Sequence, residues 1–338
     1  MQKGLVALTC LALVGVVLGN WWLNRYLDTP LPLERSLSFT VPAGASLTAQ
    51  AFRLHEMGLI QWPRVLTAFG RITDQTGIKT GEYLLQPGVT PRELLAKWVS
   101  GEVIQYSLTF PEGLRFADWL ALLIKVEKLE HVLKGTSGQE IIAELGLDVS
   151  HPEGWFFPDT YSYNAGDTDR DILLWAHQRM RGVLEEEWQN RAPDLPYANA
   201  YEALIMASII EKETGVAAER GQIAGVFVRR LQKGMRLQTD PTVIYGLGDA
   251  YQGNIRRKHL RQHSDYNTYL IDGLPPTPIA MPGREAIHAA LHPEEGNSLY
   301  FVAKGDGSHY FSATLDEHQK AVREFQLQRR SDYRSHPQ

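Results

Sequence analysis

The chain reads as an α+β protein: an apolar N-terminal helix, a small α/β module and a mixed α+β second half. Three observations predict this. Gly4 to Leu23 is one apolar run with Asn20 as its only strongly polar member, the stretch up to residue 150 alternates short strand-like and helix-like blocks, and the second half carries amphipathic or apolar helical patterns between Pro- and Gly-rich loops. With 338 residues and 43% hydrophobic content, two or three compact units are within reach.

The first run has about the 20 residues that a bilayer span needs. Lys3 precedes it, Trp21 and Trp22 stand where an interfacial aromatic belt belongs, and Arg25 follows. These features favour an uncleaved transmembrane anchor over residues 1–24 rather than a signal peptide cut near Val17, Leu18 and Gly19. The N-terminus is expected in the cytoplasm and the bulk outside it. Cys10 is the only cysteine, so no intramolecular disulfide can form, and Ala7, Leu8 and Thr9 before it match a lipoprotein signal poorly.

Residues 25–35, Pro-containing, read as a linker. Over 36–104 a small α/β module is expected. Leu37 to Val41 alternates like a strand, "PAGAS" is a turn, and Ser46 caps a helix to about Met57. "QWPRVLTAFGRIT" is a second helix, and "GEYLLQPGVTPRELLAKWVSGEV" supplies strand, turn and helix. A connecting segment, 105–150, adds a strand, a turn at Pro111 to Gly113 and a further helix. Residues 151–330 form the second domain and 331–338 a tail. In "EGWFFPDTYSY" the rings of Trp155, Phe156, Phe157, Tyr161 and Tyr163 cluster around Pro158 and Asp159, as core or as the lining of a groove.

The most informative segment is "SIIEKETG", Ser208 to Gly215. Asn199 and Glu202 have the form of a capping box, Ala203 to Ile210 is apolar apart from Ser208, and Gly215 is the expected stop. Such a helix is buried. Glu211 and Glu213 then fall in its last turn, where the helix dipole and apolar surroundings both disfavour ionisation, the property wanted in a general acid near neutral pH. At about 100° per residue the two point roughly 200° apart, so one cleft cannot take both. Glu213 shares a face with Glu202, Met206, Ile209 and Ile210, and Glu211 with Leu204, Ala207 and Ser208; helical geometry leaves them tied.

Beyond this, "AAERGQIAGVFVRRLQKG" is an amphipathic helix with Ile223, Val226, Phe227 and Leu231 on one face. Gln238, Thr239, Asp240, Thr242 and Tyr245 surround Pro241, and "YNTYLIDGLPPTPIAMPG" adds Asn267, Thr268 and Tyr269 on a proline-rigid loop. Polar groups and rings on a fixed backbone suit a carbohydrate groove. Lysines and arginines number 34 against 39 acids, a formal charge of -5 without long runs of either sign, so nucleic acid is not expected as a partner. The 11 histidines show no HExxH or similar ligand spacing, and neither metal nor cofactor is expected.

"SIIEKETGVAAER", "GMRLQTDPTVIYGLG", "YNTYLIDGLPPTPIAMPG" and "EGWFFPDTY" together resemble the endolytic murein transglycosylase family, the MltG or YceG-like proteins. The resemblance covers nearly the whole chain. It implies a LysM-like module over 36–104, a catalytic domain over 151–330, and a lyase acting on polysaccharide that cuts peptidoglycan glycan strands between N-acetylmuramic acid and N-acetylglucosamine, leaving a 1,6-anhydro end and limiting strand length. It also implies a single-pass protein of the bacterial inner membrane, its catalytic domain periplasmic, working beside peptidoglycan synthases such as penicillin-binding proteins. Lytic transglycosylases resemble one another in a catalytic Glu followed by Ser or Thr, which Glu213 and Thr214 match and Glu211 with Lys212 does not. Glu213 is thereby the expected catalytic residue, with Glu211, Thr214, Gln238, Asp240, Thr242, Tyr245, Asn267, Thr268 and Tyr269 as candidates around the substrate. Thr277 and Met281 stand where the family's loop usually has Gly and Asn, and Arg229 where it often has Asn, which touches the shape of the groove rather than the chemistry. A wall-binding recruiter of synthases and a muramidase-type hydrolase are the rival readings.

Overall fold

The computed structural model describes residues 2–135 and 137–327, without the side chains of 2–7, 9 and 327. The expected tail, 331–338, lies outside the described residues. Helix α1 (Gln2–Leu27) covers the expected anchor, residues 4–23, but several of its side chains fall outside the description. Among the described residues no helix is long and apolar enough to cross a membrane.

The chain divides into two compact units. One holds the chain up to Ser107 with Glu127–Glu130 and Ser162–Thr168; the other holds Leu108–Val126, His131–Tyr161 and the chain from Asp169 on. Residues 105–150, expected as a connector, are thus shared out between the units.

In the first unit β1 (Leu37–Val41) is followed by α2 (Leu47–Glu56), α3 (Pro63–Ile72), β2 (Gly81–Leu85) and α4 (Pro91–Ser100). The strands pair antiparallel, Phe39 opposite Tyr83. Ser46 caps α2 as its sequence requires, and Thr90 with Glu93 makes a full capping box on α4. Phe39, Leu54, Leu66, Tyr83, Leu94 and Trp98 close the core, with Phe39 stacked on Trp98 at 5.5 Å. The stretch 25–35 is tied to this unit rather than free: Leu27 and Leu31 are buried, the Leu31 N–H donates to Val89, and Arg92 pairs with Asp28 at 2.7 Å. Glu82 is buried under Ser38, Tyr106 and Lys128, and those donors, Ser38 first, hold its carboxyl below the usual range.

Strand β3 (Gln105–Thr109) pairs with β4 (Thr160–Asn164), and α5 (Phe116–Leu123) and α6 (Gly138–Leu145) lie between them in sequence. The rest of the second unit is α7 (Asp169–Gln189), α8 (Ala200–Glu213), α9 (Arg220–Gln232), α10 (Asp240–Leu247), α11 (Arg284–Leu291), the antiparallel hairpin β5 (Tyr300–Ala303) and β6 (His309–Ser312), and α12 (Leu315–Val322). Helix α8 is the hub; α7, α9, α10 and α11 all pack on it. In "EGWFFPDTYSY" core rather than groove prevails, since Phe156, Phe157, Tyr161 and Tyr163 are buried and only Trp155 stays half-exposed, stacked on Tyr201.

Trp98 has no exposed surface, whereas Trp62 is 50% exposed. Trp98→Ala should therefore destabilise the first unit by about 3–5 kcal/mol. Trp62→Ala should change it by less than about 1 kcal/mol, both read from urea unfolding followed by circular dichroism.

Candidate active site

Helix α8 begins where the sequence places it. The Asn199 side chain accepts from the Glu202 N–H at 3.1 Å, but the Glu202 carboxylate reaches the N–H of Ala198 rather than that of Asn199, so the box is offset by one residue. Ala203 through Ile210 are all buried. Ser208, the one polar residue there, is satisfied twice: its hydroxyl donates to Ile205 O at 2.7 Å and accepts from Ile279 N at 3.0 Å. A buried polar group left unpaired would cost stability, so the serine doubles as a tie to the proline-rich loop. The stop differs from expectation. Glu213 is the last helical residue and Thr214, extended at φ -141°, is the cap, its hydroxyl accepting from Val216 N at 2.9 Å; Gly215 is not among the left-handed glycines.

At this end the two glutamates go different ways. The Glu213 carboxyl accepts the Thr239 hydroxyl and is embedded among protein atoms, although part of the residue remains accessible. Burial pushes it up to about 7, against the opposing pull of Thr239 and with the negative charge of Asp240 adding to the rise. Thr239 is itself buried and belongs to a knot of three threonines: its N–H donates to Thr268 Oγ1 at 3.0 Å, Thr242 Oγ1 donates to Thr239 O at 2.8 Å, and the Thr242 and Thr268 hydroxyls are 2.9 Å apart. Gln238, just before it, holds φ +54°, a left-handed conformation that non-glycine residues seldom adopt and that is often found at functional sites. On the far side the Tyr269 hydroxyl donates to Asp240 at 2.7 Å, and burial, then Asp240, holds it above the ordinary tyrosine range.

Glu211 instead accepts the Gly283 N–H at 3.1 Å. Burial raises its pKa, the Gly283 bond opposes the rise, and Glu112 adds to it. Around it Lys212 donates to Gly113 O at 3.0 Å, while Gly113 and Leu114 exchange backbone bonds with Met281 at 2.8 Å. A Cβ at position 283 would meet the flexible end of the exposed Glu112 side chain, which would have to swing aside. Glu211 thus fastens a backbone junction, and the tie left by helical geometry becomes a difference of surroundings.

A third carboxyl raised by burial escaped the sequence reading. Glu153, in "EGWFFPDTY", accepts the Phe116 N–H at 2.9 Å and the Tyr245 hydroxyl at 3.0 Å, and burial pushes it up to about 7. Its signal was only its place in that motif. Tyr245, expected beside the substrate, is turned to Glu153 and to the ring of Tyr266. Of the other candidates, Gln238 and Asp240 are exposed, Tyr269 is half-buried, and Thr214, Thr242, Thr268 and Asn267 are buried. Asn267 spends its amide on its own loop, donating to Gln262 O at 2.7 Å and accepting from Tyr269 N at 3.1 Å. Arg229 donates to the backbone of Glu294 and Ser298, tying α9 to the loop before β5. One grouping was passed over in the sequence: His288 in the last turn of α11 and His292, which caps it, stand beside Glu187.

A buried helix ending in a shifted carboxyl, flanked by hydroxyl donors and an accessible acid, has the chemistry to give and take a proton near neutral pH. The family profile described as YceG-like family matches residues 39–324, and the chain belongs to that family. A Bacillus subtilis (strain 168) protein named endolytic murein transglycosylase is 30% identical over 315 residues, covering 87% of this chain and 87% of its own. A Streptococcus pneumoniae serotype 2 protein of the same name is 25% identical over 347 residues, 90% of this chain and 62% of its own. The crystal structure of a YceG-like protein from Listeria monocytogenes matches with a TM-score of 0.52 at 29% identity, covering 85% of this chain and 99% of that one.

Burial of Glu153 and Glu213 has a measurable cost. Their folded pKa values of about 7 exceed the ordinary 4.5, so between these values the folded chain keeps protons that the unfolded chain has lost. Stability contributed by the protonated groups is complete below about 4.5 and is lost as pH rises towards 7. Glu153→Gln and Glu213→Gln should each shrink the fall in melting temperature between pH 5 and pH 8; an unchanged fall in both would refute burial as its cause.

Proposed function

We propose that the chain is an endolytic murein transglycosylase in which Glu213 is both acid and base. The observation that carries this is the carboxyl at the end of α8, raised to about 7 and hydrogen-bonded by Thr239, on a residue that stays partly accessible. The name borne by the relatives from Bacillus subtilis and Streptococcus pneumoniae supports the substrate class.

Protonated Glu213 donates to the oxygen linking N-acetylmuramic acid to N-acetylglucosamine. As a carboxylate it then accepts the proton of the muramic acid C6 hydroxyl while that oxygen attacks C1, which breaks the bond to the leaving sugar and closes the 1,6-anhydro ring. The proton ledger balances on one group, so the second carboxyl of ordinary glycosidases is not needed. Thr239 steadies the ionised form, and Asp240, Tyr269 and Gln238 at the accessible side hold the sugars. The buried threonines and Asn267 act from beneath by fixing that backbone.

We take residues 4–23 as a single span of the inner membrane, N-terminus cytoplasmic, with the catalytic unit in the periplasm beside peptidoglycan synthases. Support comes from α1, where Leu8, Leu11, Val14, Val16 and Trp21 are all more than half exposed. A LysM-like reading of residues 36–104 draws on the strand-helix-helix-strand order with antiparallel β1 and β2.

Mass analysis of glycan-strand digests tests the chemistry. Native protein should leave ends one water lighter than hydrolysis would, and Glu213→Gln should lose at least about 100-fold in rate. Glu211→Gln should lose less than about tenfold, because it acts only through the Gly283 junction. Water-heavy ends, or a loss confined to Glu211→Gln, would overturn the assignment. Activity should also fall as pH rises through about 7, as Glu213 loses its proton. Thr239→Val removes the bond that favours the ionised form and should move that fall to higher pH, whereas Thr239→Ser should leave it in place.

A further inference from the structure

On the side of the second unit formed by α7 and α11, Glu187, His288 and His292 bring one carboxylate oxygen and two ring nitrogens within 4.8 Å of one another. His288 lies in the last turn of α11 and His292, four residues on, is the residue that caps it, and the two rings meet beside the helix end. Their rings are 4.2 Å apart and nearly parallel at 19°. Glu187 comes from the neighbouring helix and is buried, which is unusual for a carboxylate unless it is paired or coordinates a metal.

The outer partners are also in place. His292 Nε2 is 2.8 Å from Asn190 O, and a proton donated there leaves the lone pair on Nδ1, which lies 3.3 Å from His288 O and turns from it to take an ion. Arg284 donates to Glu187 Oε1 at 2.9 Å, holding the carboxylate while Oε2 faces His288 Nδ1 at 2.8 Å. Each of these two ligands therefore has its second polar atom fixed by another group, the arrangement that orients first-shell ligands in metal centres. We propose that Glu187, His288 and His292 bind one divalent transition ion of the zinc class, which clips α7 to α11. Two imidazoles and a carboxylate suit such an ion, and solvent supplies the remaining coordination because His288 is exposed. Bonds of about 2.0–2.2 Å need the His288 to Glu187 separation to open to roughly 3 Å and the exposed His288 ring to turn out of its stack, because each nitrogen lone pair lies in its ring plane and parallel rings cannot aim both at one ion. No proton transfer or bond cleavage runs through the ion, so the site is independent of the proposed lyase chemistry.

Equilibrium dialysis of the untagged full chain against Zn2+ alone tests this. One ion per chain should be retained at micromolar free zinc, with a higher melting temperature, and Co2+ in its place should give a visible absorption band. His288→Gln and His292→Gln should each weaken binding at least about tenfold and abolish the band. His131→Gln, at a histidine paired with a single carboxylate, should change neither. Absence of retained zinc, or retention and a band that survive both α11 substitutions, would reduce the cluster to an ordinary ion-pair network and overturn the proposal.

Discussion

The fold of the second unit depends on burying helix α8 on nearly every side. From Ala203 to Ile210 no residue of it is exposed, and the hydrophobic gain of enclosing those side chains dictates where α7, α9, α10 and α11 go. A helix enclosed in this way must deliver its end into protein as well. The carboxyl of the last residue is consequently taken out of water beside backbone carbonyls that already carry partial negative charge. The shift of Glu213 follows from the same burial that holds the unit together. Moving the helix outward to relieve that acid would expose its apolar sides.

Enclosure also fixes what faces the end of the helix. Ser208 needs partners and takes one from Ile279; Glu211 takes Gly283; Met281 bonds with Gly113 and Leu114. The proline-rich loop is thus fastened along its length by groups that had no water to turn to. On the other side the hydroxyls of Thr242 and Thr268 meet each other and the Thr239 backbone, and leave the Thr239 hydroxyl proton for Glu213. Small β-branched residues suit this position, since each fills space with a methyl and has one proton to aim.

Features set by near neighbours were legible in the sequence. Ser46, Thr90 and Asn199 announce their helices because a cap reaches only three residues ahead, and the buried character of α8 is written in its own composition. Features set by distant partners were not legible. That Thr214 rather than Gly215 ends α8 depends on the turn to Val216 and on burial of the threonine. That Asn267 and Tyr245 face inward depends on Gln262 and on Glu153, the latter far away in sequence. The pairing of Glu187 with α11 spans about a hundred residues, which no local periodicity records. The hairpin β5 and β6 was missed because neither strand carries a long enough alternation to stand out.

Burial alone does not separate a working acid from a structural one, and Glu153 makes the point. Glu153 and Glu213 are raised to the same value, near 7, by the same cause. Glu153, however, has both oxygens occupied, one by the Phe116 N–H and one by the Tyr245 hydroxyl, and is 3% exposed, so nothing can approach it. Among the described residues only Thr239 hydrogen-bonds the Glu213 carboxyl, at Oε1, and the residue keeps an open side. A proton held at about neutral pH is useful only where its donor oxygen can meet a substrate atom at hydrogen-bond distance. Of the three carboxyls that burial raises, Glu153 is sealed, whereas Glu211 and Glu213 both stay partly accessible and differ in their partner, the Gly283 N–H for one and the Thr239 hydroxyl for the other.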